Sequence, residues 1–340
     1  MRAVQVTDER DLSETELPDP EPGAGEVLVD VAFCGICGSD LHMLPSPVVP
    51  AGAVMGHEFS GRVAAVGDGV EDWSVGERVS VYPGSPCGEC PNCLTGNPHI
   101  CMQLVVRGHG FGGRQGAYAE RVVVDAPTLF RLPDSISDEH GALVEPLAVG
   151  VHAVAMAAAD PAEPAVVLGA GPIGVMTALA ARAARFERLV VVEPGESRRA
   201  RIEALGFTAL PLDGVHEAAV AALGGELPAV VWECAGRPEA LGLALELVRG
   251  AGVVVAAGVL EEPVPLNQLL LIMKEARIQG VFGYTREDFA RAIELLAAGE
   301  IPADDVITEV ASLGRAQEMF DELLRPGTDQ LKVLLRPGAS

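Results

Sequence analysis

Ala165-Val-Val-Leu168, followed at once by Gly169-Ala-Gly-Pro-Ile-Gly174, is the stretch whose reading decides the fold. The first four residues are apolar, β-branched and too few for a helix, so they read as a buried strand. Val175 to Arg185 is then a run of helix formers, with Met176, Ala178, Leu179, Ala180 and Ala181. A second β-branched run, Leu189 to Val192, ends in Glu193. In such a strand–turn–helix–strand unit each glycine has a mechanical task. Gly169 makes the tight turn, Gly171 lets the backbone approach a pyrophosphate, and Gly174 lets the helix pack close to the strand. The helix N-terminus offers unpaired N–H groups to the anion, and Pro172 and Ile173, between the glycines, are kept as candidate cofactor contacts. Glu193 stands 19 residues past Gly174, where an acid accepts hydrogen bonds from the adenosine ribose. A glycine pattern alone is weak; framed by two strands and a helix, it reads as a dinucleotide site. An acid at 193 repels a 2′-phosphate, so NAD is expected over NADP. Arg198 and Arg199 lie just beyond, where arginines hold a 2′-phosphate. They read instead as the solvent face of a helix that Ser197 caps and Gly206 ends, with Arg198 kept as a candidate cofactor contact.

The strand–helix rhythm continues. Strands are predicted at Ala229–Trp232, Val253–Ala257 and Ile278–Phe282, with helices at Pro238–Val248 and Leu269–Lys274 between them. This is a doubly wound parallel sheet, an α/β fold. Thr285 with Asp288 resembles a capping box opening a helix over 286–298, closed by Gly299, with Phe289, Ile293 and Leu296 as its buried stripe.

The 340 residues suit two domains of ordinary size, and 49% hydrophobic against 21% charged residues provide a large core. The 48 acids and 24 bases leave a net charge of −24, which repels phosphate backbones and argues against a nucleic-acid partner. Acids at Asp8, Glu9 and Asp11, with no apolar run, do not make a signal peptide. The longest uncharged stretch, 165–181, is broken by glycines and is no membrane span. A cytoplasmic protein without a membrane partner is expected.

Seven cysteines, an odd number, argue against a disulfide framework. Cys87, Cys90, Cys93 and Cys101 fall within fifteen residues, in a Gly- and Pro-rich segment. Short C-x-x-C loops present two thiolates to one ion, and four thiolates close a tetrahedron. This is a structural zinc site, and the metal supplies order that the segment lacks. A second cluster reads Cys34-Gly-Ile-Cys37-Gly-Ser-Asp-Leu-His42, then Gly56-His57-Glu58. Cys34 and Cys37 could be a redox pair, but the thioredoxin-like context is missing. Cys37, His57 and a carboxylate instead form a set that leaves zinc an open fourth position, as a catalytic site requires.

Taken in order, Cys37–His42, Gly56-His57-Glu58, the four clustered cysteines, Glu145-Pro146-Leu147 and the 169–174 turn resemble the zinc-dependent medium-chain dehydrogenase/reductases: alcohol, sorbitol, butanediol and threonine dehydrogenases. The resemblance spans nearly the whole chain. It implies a GroES-like β-barrel catalytic domain over 1–150 holding both zinc sites, an NAD(P)-binding Rossmann domain over 151–284, and a C-terminal return over 285–340 completing the catalytic domain. It makes Cys37 and His57 catalytic zinc ligands, with Glu58 or Glu145 as the third. No cysteine lies near 145, which points to the polyol branch. Asp40 would orient the ligating histidine, and Ser39 and His42 would relay the proton. Ala257, Gly258, Val259 and the segment 281–284 with Phe282 would line the nicotinamide end. Cys34 and Cys234 read as buried and structural, and no motif gives a task to the remaining histidines, of which His152 is the best placed to face a cleft.

The expected activity is hydride transfer between NAD and a secondary alcohol, diol or polyol, or the matching ketone, with two zinc ions per chain, one catalytic and one structural. The alternatives are an NADPH-dependent carbonyl reductase of the same fold, a thiol redox protein using Cys34 and Cys37, and a non-catalytic zinc- and NAD-binding structural or sensing protein. Family members are dimers or tetramers, and a sheet edge near Val281 is a natural pairing surface. The loop Leu44–Met55 is apolar and, with the segment around Phe111, borders the substrate cleft in the family. That lining favours a diol or simple ketone over a sugar phosphate, unless those residues pack against the barrel.

Overall fold

The computed structural model describes residues 1–260 and 262–338. The last two residues of the expected C-terminal return therefore lie outside the described residues. The chain forms two compact units: Met1–Glu145 together with the segment from Thr285 onward, and Pro146–Tyr284.

The second unit is built on six parallel strands in the spatial order Thr208–Leu210, Leu189–Val192, Ala165–Leu168, Val230–Glu233, Val253–Ala256, Arg277–Gly280. Strand order thus reverses between Leu189–Val192 and Val230–Glu233, on either side of the first strand. This is the switch point at which doubly wound sheets open a crevice beyond their carboxyl ends. The four inner strands are buried throughout or nearly so, because helices cover both faces. Val166, Val190, Val231 and Val254 pack with Val215, Ala219, Ala244 and Leu245 from the crossing helices. Lys274 closes one of those helices, Ala240–Leu247: its Nζ donates to the carbonyls of Leu245, Glu246 and Val248 at 3.0, 2.6 and 2.6 Å, where a cation is favoured by the helix dipole.

Two elements went unread in the sequence: the half-exposed strand Thr208–Leu210 and the helix Val215–Ala222. A three-residue edge strand carries no period to detect. The helix after the second strand begins earlier than expected. Its N-cap is Gly195, not Ser197, and it runs Glu196–Ala204. The cause is Glu193, whose Oε1 accepts the Gly195 N–H at 2.9 Å and turns the chain at once. The first helix likewise begins at Pro172, whose ring presets helical φ.

In the first unit, a sheet runs in the order Ile307–Ser312, Lys332–Arg336, Glu26–Gly35, Glu58–Val66, Arg78–Val81, Leu129–Arg131, with Arg121–Asp125 also paired to Glu26–Gly35. The C-terminal strand pairs antiparallel with Glu26–Gly35, Leu334 opposite Gly35. Val27, Val29, Phe59, Val79, Tyr118, Phe320 and Leu335 share one core. Thr285 and Asp288 do form a capping box: Thr285 Oγ1 accepts from Asp288 N at 3.2 Å and Asp288 Oδ2 from Thr285 N at 2.9 Å. Phe289, Ile293 and Leu296 are buried on the helix it opens. Among the described residues, no helix is long and apolar enough to cross a membrane.

Candidate functional site

Cys37 is the N-cap of the short helix Gly38–Met43, which places Ser39, Asp40 and His42 within one turn and a half. His57 precedes the strand Glu58–Val66, behind Gly56 at φ +96. A side chain at 56 would meet the Tyr118 ring at 2.5 Å, so only glycine lets the strand start here. The two segments bring Cys37, His57 and Glu58 together, with one donor atom of each within 4.8 Å of the others.

Asp40 organises this set from behind. Fully buried, its Oδ2 accepts the Cys37 N–H at 2.9 Å and the Tyr118 hydroxyl at 2.7 Å. Its Oδ1 faces His57 Nδ1 at 3.4 Å, and neither atom has another partner among the described residues. That pairing orients the imidazole with Nε2 directed away from Asp40, where a metal is ligated. Burial alone would lower the His57 pKa, but the Asp40 carboxylate and Cys37 outweigh it and hold the pKa well above its ordinary value. Ser39 Oγ lies 3.5 Å from His57 Nε2, on the ligand side. His42 is exposed and its Nδ1 pairs with the Gly38 carbonyl at 2.8 Å; no hydrogen bond joins it to Ser39 among the described residues. Phe111 stacks on the His57 ring at 4.6 Å.

Glu145 is buried in the first turn of Val144–Ala157 and stands outside the three-donor set. Its charge is one of those acting on Lys332, after Glu58 and Cys37. Lys332 and Tyr118 were not singled out in the sequence. Neither belongs to a motif: Lys332 reaches the site through the pairing of the C-terminal strand, and Tyr118 through an irregular segment whose backbone bonds Met55 and Val4. Cys34 is fully buried beside Asp40 and Glu58; burial first, then those charges, push its thiol pKa far up. A thiol held protonated in this way is a poor redox partner for Cys37. Cys234 is half-buried, its Sγ 3.7 Å from Thr177 Oγ1, and burial pushes its thiol up to about 12. In the apolar loop, Leu44, Val49, Val54 and Met55 belong to the core, so the loop largely packs inward; Val48 is exposed.

The four clustered cysteines converge around Pro91–Leu94. Their Sγ atoms are 3.5 Å apart for Cys90–Cys93 and Cys87–Cys101, and 3.9 Å for Cys87–Cys93 and Cys90–Cys101. A tetrahedral zinc with Zn–S of about 2.3 Å sets its sulfurs about 3.8 Å apart. Backbone N–H groups of Cys87, Cys90 and Gln103 point at sulfurs at 3.3–3.4 Å, which favours thiolates. The donor set therefore fits a structural zinc.

In the second unit, Gly169 adopts φ +95 and donates to Val192 O at 2.8 Å. Gly171 is the N-cap of Pro172–Ala183 and has no side chain to satisfy the helix's first donors. A Cβ on Gly171 would meet no protein atom within 4 Å, whereas one on Gly174 would come within 1.9 Å of Gly169 O. Gly174 is thus small for the sake of the turn, whereas no protein atom among the described residues requires a glycine at 171. Glu193 is buried, its Oε2 accepting from Ala170 N at 2.9 Å. Arg199 Nη1 bonds the Glu193 and Pro194 carbonyls at 2.9 and 2.5 Å, while Arg198 is half-buried. Ile173 is half-buried in the first turn. Ala257 and Gly258 follow a strand end, both N–H groups on Glu233 O at 2.8 Å; Val259 and Phe282 are 70% and 58% exposed. Glu233, another acid at a strand end, went unread: its Oε1 clamps the Ala235 and Gly236 N–H groups at 2.7 and 2.9 Å. His152 is buried in this unit. Small glycines at one crevice edge and an acid at the next strand's end fit a dinucleotide.

Comparison with known proteins agrees. Residues 23–134 match the alcohol dehydrogenase GroES-like domain, and residues 172–298 the zinc-binding dehydrogenase family. Sorbitol dehydrogenase from Bacillus subtilis is 32% identical, covering 99% of this chain and 97% of that protein. (R,R)-Butanediol dehydrogenase from the same organism is 33% identical, covering 99% of this chain and all of that one. The crystal structure of a zinc-binding dehydrogenase from Sinorhizobium meliloti 1021, bound to NADP, superposes with a TM-score of 0.91 at 33% identity over 99% of both chains.

Proposed function

The chain belongs to the zinc-dependent medium-chain dehydrogenase/reductases, and on that premise we propose that it interconverts a secondary alcohol, diol or polyol and the matching ketone, with NAD as hydride partner. The observation that carries this reading is one chain holding both the Cys37, His57 and Glu58 donor set and the 169–174 cradle backed by Glu193. The named activities of the relatives, on sorbitol and butanediol, support the substrate class.

Cys37 and His57, with Glu58 or Glu145, would hold the catalytic zinc, and Cys87, Cys90, Cys93 and Cys101 the structural one. When bound, zinc supplies Lewis acidity toward the substrate oxygen, and the nicotinamide takes or gives the hydride. The protein's own groups do the rest. Asp40 and Tyr118 fix the His57 ring, leaving Nε2 free to ligate. Ser39 Oγ, 3.5 Å from that nitrogen, would take the alcohol proton, and His42, exposed on the same helix, would pass it on to solvent. The unpaired N–H groups around Gly171 receive the pyrophosphate, and Glu193 the adenosine ribose. In this reading Met1–Glu145 with the C-terminal return is the catalytic domain and Pro146–Tyr284 the cofactor domain. The protein acts in the cytoplasm as a homodimer or homotetramer.

The test joins metal analysis to a panel of alcohols and ketones followed by nicotinamide absorbance. Two zinc ions per chain and NAD-linked oxidation of secondary alcohols are expected. Cys37→Ser should abolish turnover and leave NADH binding intact; retained turnover removes zinc from the mechanism. NADP preference would support the carbonyl-reductase alternative, to which Arg198 and the NADP in the Sinorhizobium structure lend some weight. Cofactor and zinc binding with no turnover on any substrate would leave a sensing or structural role.

A further inference from the structure

Glu233 is a buried acid, 4% exposed, at the carboxyl end of Val230–Glu233. Burial pushes its pKa up, and the N–H groups of Gly236 and Ala235 oppose that. Its Oε1 accepts from both, at 2.9 and 2.7 Å, which folds 234–236 back over the strand end. Its main-chain oxygen accepts the N–H groups of Ala257 and Gly258, beyond the neighbouring strand. Its Oε2 lies against Gly258: a Cβ there would fall 2.9 Å from that oxygen and 2.3 Å from Gly236 N. Gly236 has φ +58, and a Cβ on it would stand 2.7 Å from Val259 O. Two glycines thus let 257–259 lie directly on the 234–236 turn, with one carboxylate touching both. No residue of either segment is fully buried, so together they form an open wall rather than core.

Strand order says which part of a dinucleotide this wall would meet. Leu189–Val192, ahead of Glu193, lies on one side of Ala165–Leu168; Val230–Glu233 and then Val253–Ala256 lie on the other. With the adenosine ribose at Glu193 and the pyrophosphate at Gly171, the nicotinamide half extends over 234–236 and 257–259. We propose that Glu233 is a positioning residue for the nicotinamide half of the cofactor, its carboxylate setting the turn on which 257–259 rests. The proposal rests on the reading of this crevice as a dinucleotide site. Without the carboxylate the two N–H groups turn to water, and the glycine turn samples other conformations. The ligand then binds only the fraction of molecules in which the wall is in place, and its affinity falls by that fraction. Gly171 and Glu193, at the other half, make no bond to Glu233 among the described residues.

The test is calorimetric titration with NADH and with ADP, which lacks the nicotinamide half, together with amide hydrogen exchange of the ligand-free protein. Glu233→Leu is expected to weaken NADH binding about tenfold and ADP binding less than about threefold. It should also speed exchange at the Ala235 and Gly236 amides about tenfold. Glu233→Gln keeps an acceptor for both N–H groups and should stay within about threefold of wild type in all three quantities. Glu233→Leu binding NADH as wild type does overturns the proposal. So does an equal loss for NADH and ADP, which is what support of the whole domain would give. Should that variant not fold, Gly258→Ala carries the test, because its Cβ must part the two segments: NADH should again weaken about tenfold and ADP less than about threefold, and either overturning result counts here too. A wild-type protein binding neither NADH nor ADP overturns the dinucleotide reading itself, a result distinct from these.

Discussion

Gly174→Ala is the substitution through which the cofactor site can be tested most directly. The added Cβ would stand 1.9 Å from Gly169 O, whereas real Cβ atoms keep at least 3.0 Å. A gap of 3.0 − 1.9, or 1.1 Å, must open between the first helical turn and the glycine turn. Gly169 cannot yield, since its N–H is tied to Val192 O and its φ is +95. The helix must yield, and with it the N–H groups that would face the pyrophosphate. Charge-assisted hydrogen bonds of about 2.8 Å do not survive a stretch of that size. Losing two of them costs about 3 kcal/mol of binding, or about a hundredfold in NADH affinity. The fold itself loses about 2 kcal/mol to overpacking, several degrees in Tm. Gly171→Ala is the control. Its Cβ meets nothing within 4 Å and its φ is an ordinary −72. It should leave Tm unchanged and still weaken NADH binding about tenfold, because only the ligand approaches there. Fluorescence titration with NADH and a thermal melt read both quantities. Gly174→Ala binding NADH as wild type does, at wild-type Tm, would refute the steric account of the motif.

Three other outcomes are expected. Cys101→Ser should cost the protein one equivalent of zinc by metal analysis and expose the 87–101 segment to proteolysis, since metal binding there is folding energy; an unchanged zinc content would show that the site does not hold the ion. Burial first, then Arg114, lowers the His109 pKa to about 4, against 6.5 for the free side chain. The unfolded chain therefore binds the proton first, and stability intact above pH 6.5 is lost as pH falls toward 4. At pH 5 the loss is about 2 kcal/mol, and denaturant titrations of His109→Gln should lack it; parallel pH dependence in the two proteins would show that His109 is not the source. Glu193→Ala should raise KM for NAD about tenfold and move preference toward NADP, since it removes both the ribose acceptor and the repulsion of a 2′-phosphate; an unchanged NAD to NADP ratio of kcat/KM would mean that the acid does not select.

Much of the molecule was legible in the chain because the signals are local. A buried parallel strand must be a continuous apolar run, so Ala165–Leu168 and Leu189–Val192 declared themselves at their observed bounds. The glycine turn could be read because its demands fall within six residues. The cysteine cluster was visible because the four thiolates of one tetrahedron sit on a short stretch of backbone. Where the signal was weak, the reading failed: the three-residue edge strand Thr208–Leu210 has no period, and Ser197 looked like a cap because the reach of the Glu193 carboxylate to Gly195 is not written in any propensity. The apolar loop 44–55 left two readings open, a cleft wall or packing against the barrel, and Leu44, Val49, Val54 and Met55 are core. Hydrophobicity alone does not say which side of a loop is wet.

The sequence by itself determined the residue types that can grip a metal and cradle a pyrophosphate, because those types recur at spacings set by the backbone. Only the tertiary structure decided what stands behind them. Tyr118 on Asp40, Asp40 on His57, and Lys332 on Glu58 join residues 78, 17 and 274 positions apart. Such contacts depend on which strands pair and in what register, and sheet register is a property of the assembled core rather than of any segment within it.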